Sequence, residues 1–236
     1  MRITPLKLES PESIPAPLRD ALQAYGGLMR GTRDTESLIR GGPLGSIADA
    51  LAGHLRGQRI HAYHCTREPE PGYFKRHGLR ATNLTAHQDE FLRTMGHHFT
   101  PEERSYMQTR WAEYFRAGQV QSREGKVWSC LTRKLTTSRG TEWFFKAYGG
   151  EAIHMPLEED SSALAKLKTL GKPVVVEVAL RGTQIRTYCD MAWCALNYLH
   201  RRINPDAFEM ESEACLDASV PPSDVLDVVP LQHFKV

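Results

Sequence analysis

This chain of 236 residues lacks the features that define several common protein classes. No run approaches the roughly 18 apolar residues of a membrane-spanning helix. The first 17 residues contain no apolar core of a secretory signal, so we expect none. Lysine and arginine number 30 against 28 aspartates and glutamates, a net charge of +2 that argues against a polycation built for nucleic acid. We expect a cytoplasmic globular protein with no membrane partner.

Cysteine is scarce and irregularly spaced. The count is odd and no CxxC pair occurs among Cys65, Cys130, Cys189, Cys194 and Cys215. A disulfide framework and a zinc ribbon are therefore not expected, and a reducing cytosol is the default compartment. The ten histidines form no HExxH motif, so we also expect no metal.

Three familiar motifs are missing as well. The chain has no GxGxxG and no GxxxxGK[ST], which gives no indication of a Rossmann or P-loop nucleotide site. It has no GxSxG, which weakens an α/β-hydrolase interpretation.

The patterns that are present change character near residue 58. Residues 1–57 predict a helical N-terminal segment, and residues 58–236 predict a domain with a helical insertion at about 83–119. Helices are predicted at 16–30, 46–55, 86–98, 101–117, 141–148, 161–170 and 189–203. Strands are predicted at 59–66, 126–132, 152–157, 172–180, 210–220 and 224–231. Strands interrupted by helices without regular βαβ alternation favour an α+β fold with a mixed or antiparallel sheet.

Three stretches carry residues suited to chemistry. The first is His64-Cys65-Thr66 on an early strand, followed by Phe74 to Leu79. The second runs from Val127 to Thr132 and leads through an aromatic helix to Tyr148-Gly149-Gly150-Glu151. The third carries Glu211 and Glu213 and leads into Pro221-Pro222.

In this order the stretches resemble the ADP-ribosyltransferase fold, in its diphtheria-toxin-like branch with a His, Tyr and Glu triad. The resemblance spans about Arg59 to Val236 and implies a split mixed or antiparallel sheet that binds NAD as a substrate, without a metal. It implies that His64 orients the ribose, that Trp128 and Tyr148 sandwich the nicotinamide, and that Glu213 stabilises the oxocarbenium-like ribose. The residues it assigns to NAD are His64, Cys65, Thr66, Trp128, Ser129 and Tyr148, and those it assigns to catalysis are Glu213 and Glu211.

The sequence also departs from the family's pattern. Cys65 stands where the family has glycine, which narrows the pocket, and Trp128 stands where it has tyrosine, which keeps a stacking face and loses a hydroxyl. Each residue also has an ordinary structural explanation. His64 would be a satisfied strand histidine, the aromatics core residues, and Glu211 and Glu213 a solvated strand edge.

The function that follows is a mono-ADP-ribosyltransferase that cleaves NAD and modifies a protein or nucleic-acid acceptor. An effector or toxin delivered into a host cytosol, or a phage or defence factor, would suit this fold. The alternatives are an NAD glycohydrolase, a degenerate transferase fold that acts as a protein-binding module, and an RNA 2′-phosphotransferase-like enzyme. The last would need a basic cluster in the cleft, for which the candidates are Arg76, Arg80, Arg133, Lys134 and Arg139.

Overall fold

A computed structural model describes residues 4–81, 83–115, 120, 123–187 and 190–234. Within these residues the protein is α+β, with eleven α-helices and one six-stranded sheet. The helices are α1 (Ala16–Gln23), α2 (Gly26–Gly31), α3 (Thr35–Ile39), α4 (Gly45–Arg56), α5 (Tyr73–His77), α6 (Leu84–Met95), α7 (Pro101–Tyr114), α8 (Arg139–Lys146), α9 (Gly150–Ile153), α10 (Ser162–Leu167) and α11 (Met191–Ile203). The strands are β1 (Arg59–Glu68), β2 (Val127–Cys130), β3 (Lys172–Arg181), β4 (Arg186–Thr187), β5 (Glu213–Leu216) and β6 (Val225–Pro230).

The sheet has the strand order β4-β5-β2-β1-β3-β6. Antiparallel pairing joins β1 to β2, β3 to β6 and β4 to β5. Tyr63 lies opposite Cys130, and the register of β3 against β6 shifts after Glu177. The α+β class and the antiparallel pairing agree with the sequence prediction, and the finer ADP-ribosyltransferase-like arrangement stays a prediction.

The chain divides into two compact units. Unit 1 comprises Met1–Tyr63, Ser129–Leu135 and Ala179–Cys215, and unit 2 comprises His64–Trp128, Thr136–Val178 and Leu216–Val236. The predicted segment 1–57 therefore groups with two later stretches of chain in unit 1. The division at residues 57 and 58 stays a prediction of the sequence.

In unit 1, helices α2, α3 and α4 pack against α11. A buried polar network supports this packing around His200, which is 0% exposed. Its Nε2 lies 2.8 Å from the Met29 carbonyl, which can only accept, so Nε2 carries the proton and Nδ1 accepts from the Thr35 hydroxyl at 2.8 Å. Asn197 donates to the same Thr35 oxygen at 2.7 Å. This network joins α11 to the segment around α2 and α3 with buried polar groups that are hydrogen-bonded.

In unit 2, a hydrophobic cluster forms where α6 and α7 meet the segment from α8 to α10. Trp111 of α7 is its largest member and donates from Nε1 to the Ile153 carbonyl at 2.8 Å. Phe91 packs edge-on against Trp111, with ring centroids 6.1 Å apart. The two helices of the predicted insertion therefore form part of the core of this unit.

Several predicted elements are confirmed, among them β1, β3 and α7. Two predictions are wrong. The N-terminal helix predicted over 16–30 is two helices, α1 and α2, with a break at Ala24 and Tyr25. The strand predicted over 152–157 is instead the end of α9 and a turn, because Ile153 and Leu157 are buried in the hydrophobic cluster of unit 2. Part of the helix predicted over 101–117, and the start of the one predicted over 189–203 at Cys189, lie outside the described residues.

Candidate functional site

Unit 2 contains a pocket of about 530 Å³, within the range that suits a small-molecule ligand. Residues from β1, α5, α6, β2 and the α8–α9 segment line it. Five of the eight residues that the resemblance singles out are among them: His64, Cys65, Thr66, Trp128 and Tyr148. These residues come from the first two of the three stretches, and one cavity brings them together.

A hydrogen bond joins the first two stretches. Nδ1 of His64 lies 2.7 Å from the backbone carbonyl of Trp128. Because a carbonyl only accepts, Nδ1 carries the proton and Nε2 of the neutral ring is an acceptor. Burial lowers the pKa of His64, and the bond to Trp128 opposes that shift. Within the described chain no residue forms a hydrogen bond to Nε2. A neutral His64 can therefore accept a hydrogen bond from a hydroxyl group of a ligand.

Tyr148 and its neighbours give the pocket an aromatic wall. The rings of Tyr148 and Phe91 lie 6.1 Å apart at 31°, and the Tyr148 amide donates to Leu167 at 3.1 Å. Burial, and then Tyr73 and Glu90, raise the pKa of Tyr148 to about 12, so its hydroxyl remains a donor at neutral pH. Half-buried aromatic faces of this kind suit a flat heteroaromatic ring.

Gly149 lets the chain turn immediately after this aromatic wall. Its φ of +91° lies in the left-handed region, and a Cβ there would come within 2.4 Å of the Ile153 side chain. The next residue, Gly150, begins α9.

One face of α6 lines the same pocket. Leu84, His87, Glu90, Phe91 and Thr94 recur at the three- and four-residue spacing of a helix face. Neither His87 nor Glu90 is among the candidate residues that the sequence indicates. Their spacing of three residues was the available signal, but such a pair is common on solvated helices and did not indicate a site.

Ion pairs surround the cavity. Arg80 donates from Nη1 to both carboxylate oxygens of Glu90 at 3.0 Å, and Arg123 donates to Glu151 at 2.6 Å. The pocket therefore holds charged groups of both signs, arranged in pairs that a polar or charged ligand could rearrange.

Arg67, in contrast, has a structural role. Its guanidinium donates to four backbone carbonyls at 2.8 to 3.1 Å. The acceptors are Phe145, Lys168, Leu170 and Gly171. These bonds satisfy the ends of α8 and α10 and fix β1 against them.

The other three predicted site residues belong to unit 1. Ser129 is buried in β2, and its hydroxyl has no hydrogen-bond partner in the described chain. Glu213 is the first residue of β5. Glu211 and Glu213 are exposed, whereas Ser212 and Ala214 are buried. The exposure of both glutamates agrees with the solvated strand edge that is their ordinary structural explanation, and their catalytic roles stay predictions.

The basic residues considered for an RNA 2′-phosphotransferase do not gather in the pocket. Of the five, only Arg80 lines it, and Arg80 is paired with Glu90. Arg133 and Lys134 belong to unit 1, where Lys134 pairs with Glu209 at 2.8 Å. Asn83, another polar residue near the site, is the N-cap of α6 and accepts from the Ala86 amide at 2.7 Å.

Comparisons with family models, with curated proteins and with solved structures found no match. Among the described residues, no group of three or more His, Cys, Asp or Glu side chains is placed to hold a metal ion. No described helix is long and apolar enough to cross a membrane.

Proposed function

We propose that this chain binds NAD in the pocket of unit 2 and cleaves its nicotinamide–ribose bond, transferring ADP-ribose to a macromolecular acceptor. The observation that carries the proposal is the convergence of His64, Trp128 and Tyr148 in one cavity. The resemblance assigned these residues to NAD from two separate stretches of sequence, and all three residues line the same pocket.

The chemistry of the pocket supports NAD as the ligand. Trp128 and Tyr148 offer faces for the cationic nicotinamide ring, a contact with a cation–π component. Nε2 of His64 offers an acceptor for a ribose hydroxyl, and its orientation is fixed by the bond from Nδ1 to Trp128. These groups orient the ligand before the bond breaks.

The bond to nicotinamide breaks as positive charge develops on the ribose. A carboxylate stabilises that charge, and nicotinamide leaves as a neutral molecule. The resemblance assigns this role to Glu213, which is not among the residues that line the pocket, and substitution tests that assignment.

The first experiment follows nicotinamide release from NAD by wild type and Glu213→Gln, with and without cell lysate. We expect the variant to lose about 10²-fold or more of the rate, since it removes a charge that acts in the transition state. Glu142→Gln is the matched control, because Glu142 is exposed like Glu213 and the resemblance gives it no role. We expect it to retain the wild-type rate.

The lysate separates transfer from hydrolysis. Release that depends on lysate indicates a macromolecular acceptor, and release without lysate indicates an NAD glycohydrolase. If wild type neither releases nicotinamide nor binds NAD, the proposal is overturned, and the protein-binding alternative is tested next by capture of partners.

A further inference from the structure

Helix α6 belongs to the predicted insertion, which has no counterpart in the resemblance, yet one of its faces lines the pocket. Asn83 caps the helix, and His87 follows within its first turn, with its backbone amide bonded to the Asn83 carbonyl at 3.1 Å. The cap therefore fixes where His87 stands at the cavity wall.

Glu90 lies one helical turn after His87 and is held by Arg80. The Arg80 nitrogen Nη1 reaches both carboxylate oxygens at 3.0 Å, so the carboxylate is engaged in an ion pair. The imidazole of His87, in contrast, makes no side-chain hydrogen bond to any described residue. A half-buried ring that lines a cavity and has no hydrogen-bond partner among the described residues is available to a ligand.

The surroundings of His87 favour its neutral form. Burial lowers the pKa of His87 most, Glu90 raises it, and Arg80 lowers it. The nearby N-terminus of α6 also disfavours a cation. At neutral pH the ring is therefore unprotonated and can take up a proton.

We propose that His87 is the general base of the pocket, which takes the proton from an oxygen acceptor, either water or a hydroxyl group, as NAD is cleaved. This inference rests on the proposed function. The acceptor oxygen forms a bond to C1′ of the ribose while the C1′–N bond to nicotinamide breaks. Nicotinamide leaves with the electron pair of that bond, and the acceptor proton passes to His87 and then to solvent.

The ion pair between Arg80 and Glu90 contributes to the charge around His87 in this scheme. Glu90 acts electrostatically on both His87 and Tyr148, so its pairing with Arg80 sets the charge near both rings. Because Arg80 offsets the negative charge of Glu90, the carboxylate raises the pKa of His87 less than an unpaired carboxylate would.

The test uses the full chain with His87→Ala, a substitution that helices tolerate well. Rates of nicotinamide release are measured in water and with methanol, whose attack gives methyl ADP-riboside. Binding is measured separately with a carbocyclic NAD analogue, whose nicotinamide bond does not break. We expect His87→Ala to lose about 10²- to 10⁴-fold in rate while its affinity for the analogue changes less than about threefold.

Two further measurements separate general-base catalysis from a structural role. Added imidazole should restore part of the rate to His87→Ala, which a merely structural loss would not allow. His97→Ala is the control, because His97 is exposed and lies outside the pocket lining. We expect His97→Ala to match wild type with and without imidazole.

The outcomes distinguish this inference from the proposed function. If His87→Ala is as fast as wild type, or if its rate and affinity fall together, His87 is not the general base. If wild type binds the analogue but cleaves NAD in none of water, methanol and cell lysate, the oxygen-acceptor inference is overturned and NAD binding stands. If wild type binds neither NAD nor the analogue, both are overturned.

Discussion

At the scale of single residues, three buried or half-buried histidines differ in how their ring nitrogens are satisfied. His200 has partners on both nitrogens, and His64 has one, the Trp128 carbonyl. Neither ring nitrogen of His154 has a hydrogen bond of good geometry in the described chain, although the Trp143 carbonyl lies close enough to favour the charged form slightly. Of the three, only His64 lines the pocket, so its second ring nitrogen, Nε2, is available to accept a hydrogen bond from a ligand.

His154 makes the stability of the protein dependent on pH. Burial, and then Lys146 and Arg67, lower its pKa from 6.5 to about 4. The unfolded chain therefore binds the proton first as the pH falls, and the free energy of unfolding decreases between pH 6.5 and about 4 and levels off below.

Replacing His154 should remove this contribution. We expect His154→Leu to show a shallower loss of unfolding free energy between pH 6.5 and 4, by up to about 1.4 kcal/mol per pH unit. Urea unfolding at several pH values measures the slope. His98→Leu, at an exposed histidine, should keep the wild-type slope. An unchanged slope in His154→Leu would contradict the assignment.

At the scale of elements, helix α7 shows how a local signal specifies a boundary. Thr100 accepts from the Glu103 amide at 3.2 Å, and Glu103 accepts from the Thr100 amide at 2.8 Å, which forms a capping box. Lys166 donates to the same carboxylate at 2.6 Å, and these contacts lower the pKa of Glu103 to about 2. The helix begins here because these groups satisfy its free amides.

Removal of the cap should destabilise the protein modestly. We expect Thr100→Ala to lower the free energy of unfolding by about 1 kcal/mol, because it leaves a helix N-terminal amide without its partner. Thr109→Ala on the same helix is the control, since the Thr109 hydroxyl bonds back to the Ser105 carbonyl within the helix. That change should be near neutral. Equal losses in both variants, measured by urea unfolding, would refute the role of the cap.

The elements that local signals define were predictable, and those that depend on packing were not. The alternation in β1 and the β-branched run in β3 predicted strands that the structure contains. Helix α9 was missed, because its apolar residues are equally compatible with a strand until their burial against α7 is known. Strand β4 has only two residues and left no pattern to detect.

At the scale of the whole molecule, ligand binding couples to folding. A ligand that binds only the native state raises its stability by about 2.7 kcal/mol at a concentration of 100 times its Kd. We expect NAD to raise the melting temperature of the full chain in proportion to the logarithm of its concentration above Kd.

Trp128→Ala should largely abolish that shift, because it removes an aromatic face of the pocket. Trp143→Ala is the matched control, since Trp143 is 44% exposed and does not line the pocket. Differential scanning fluorimetry of both variants with NAD measures the shift. A shift that survives in Trp128→Ala would place the ligand elsewhere.

The sequence alone determined the local elements and the set of residues worth testing. Alternation, caps and glycine stops depend on neighbours within a few residues, so the α+β class and most strands could be predicted. The order of short motifs along the chain was enough to select His64, Trp128 and Tyr148, which share one cavity in the folded protein.

Tertiary structure alone decided which residues share the pocket. His87 and Glu90 joined it because the packing of α6 in unit 2 turns one helix face toward the cavity. A helix presents several faces, and its sequence does not specify which one meets a ligand, since that depends on contacts with residues far along the chain.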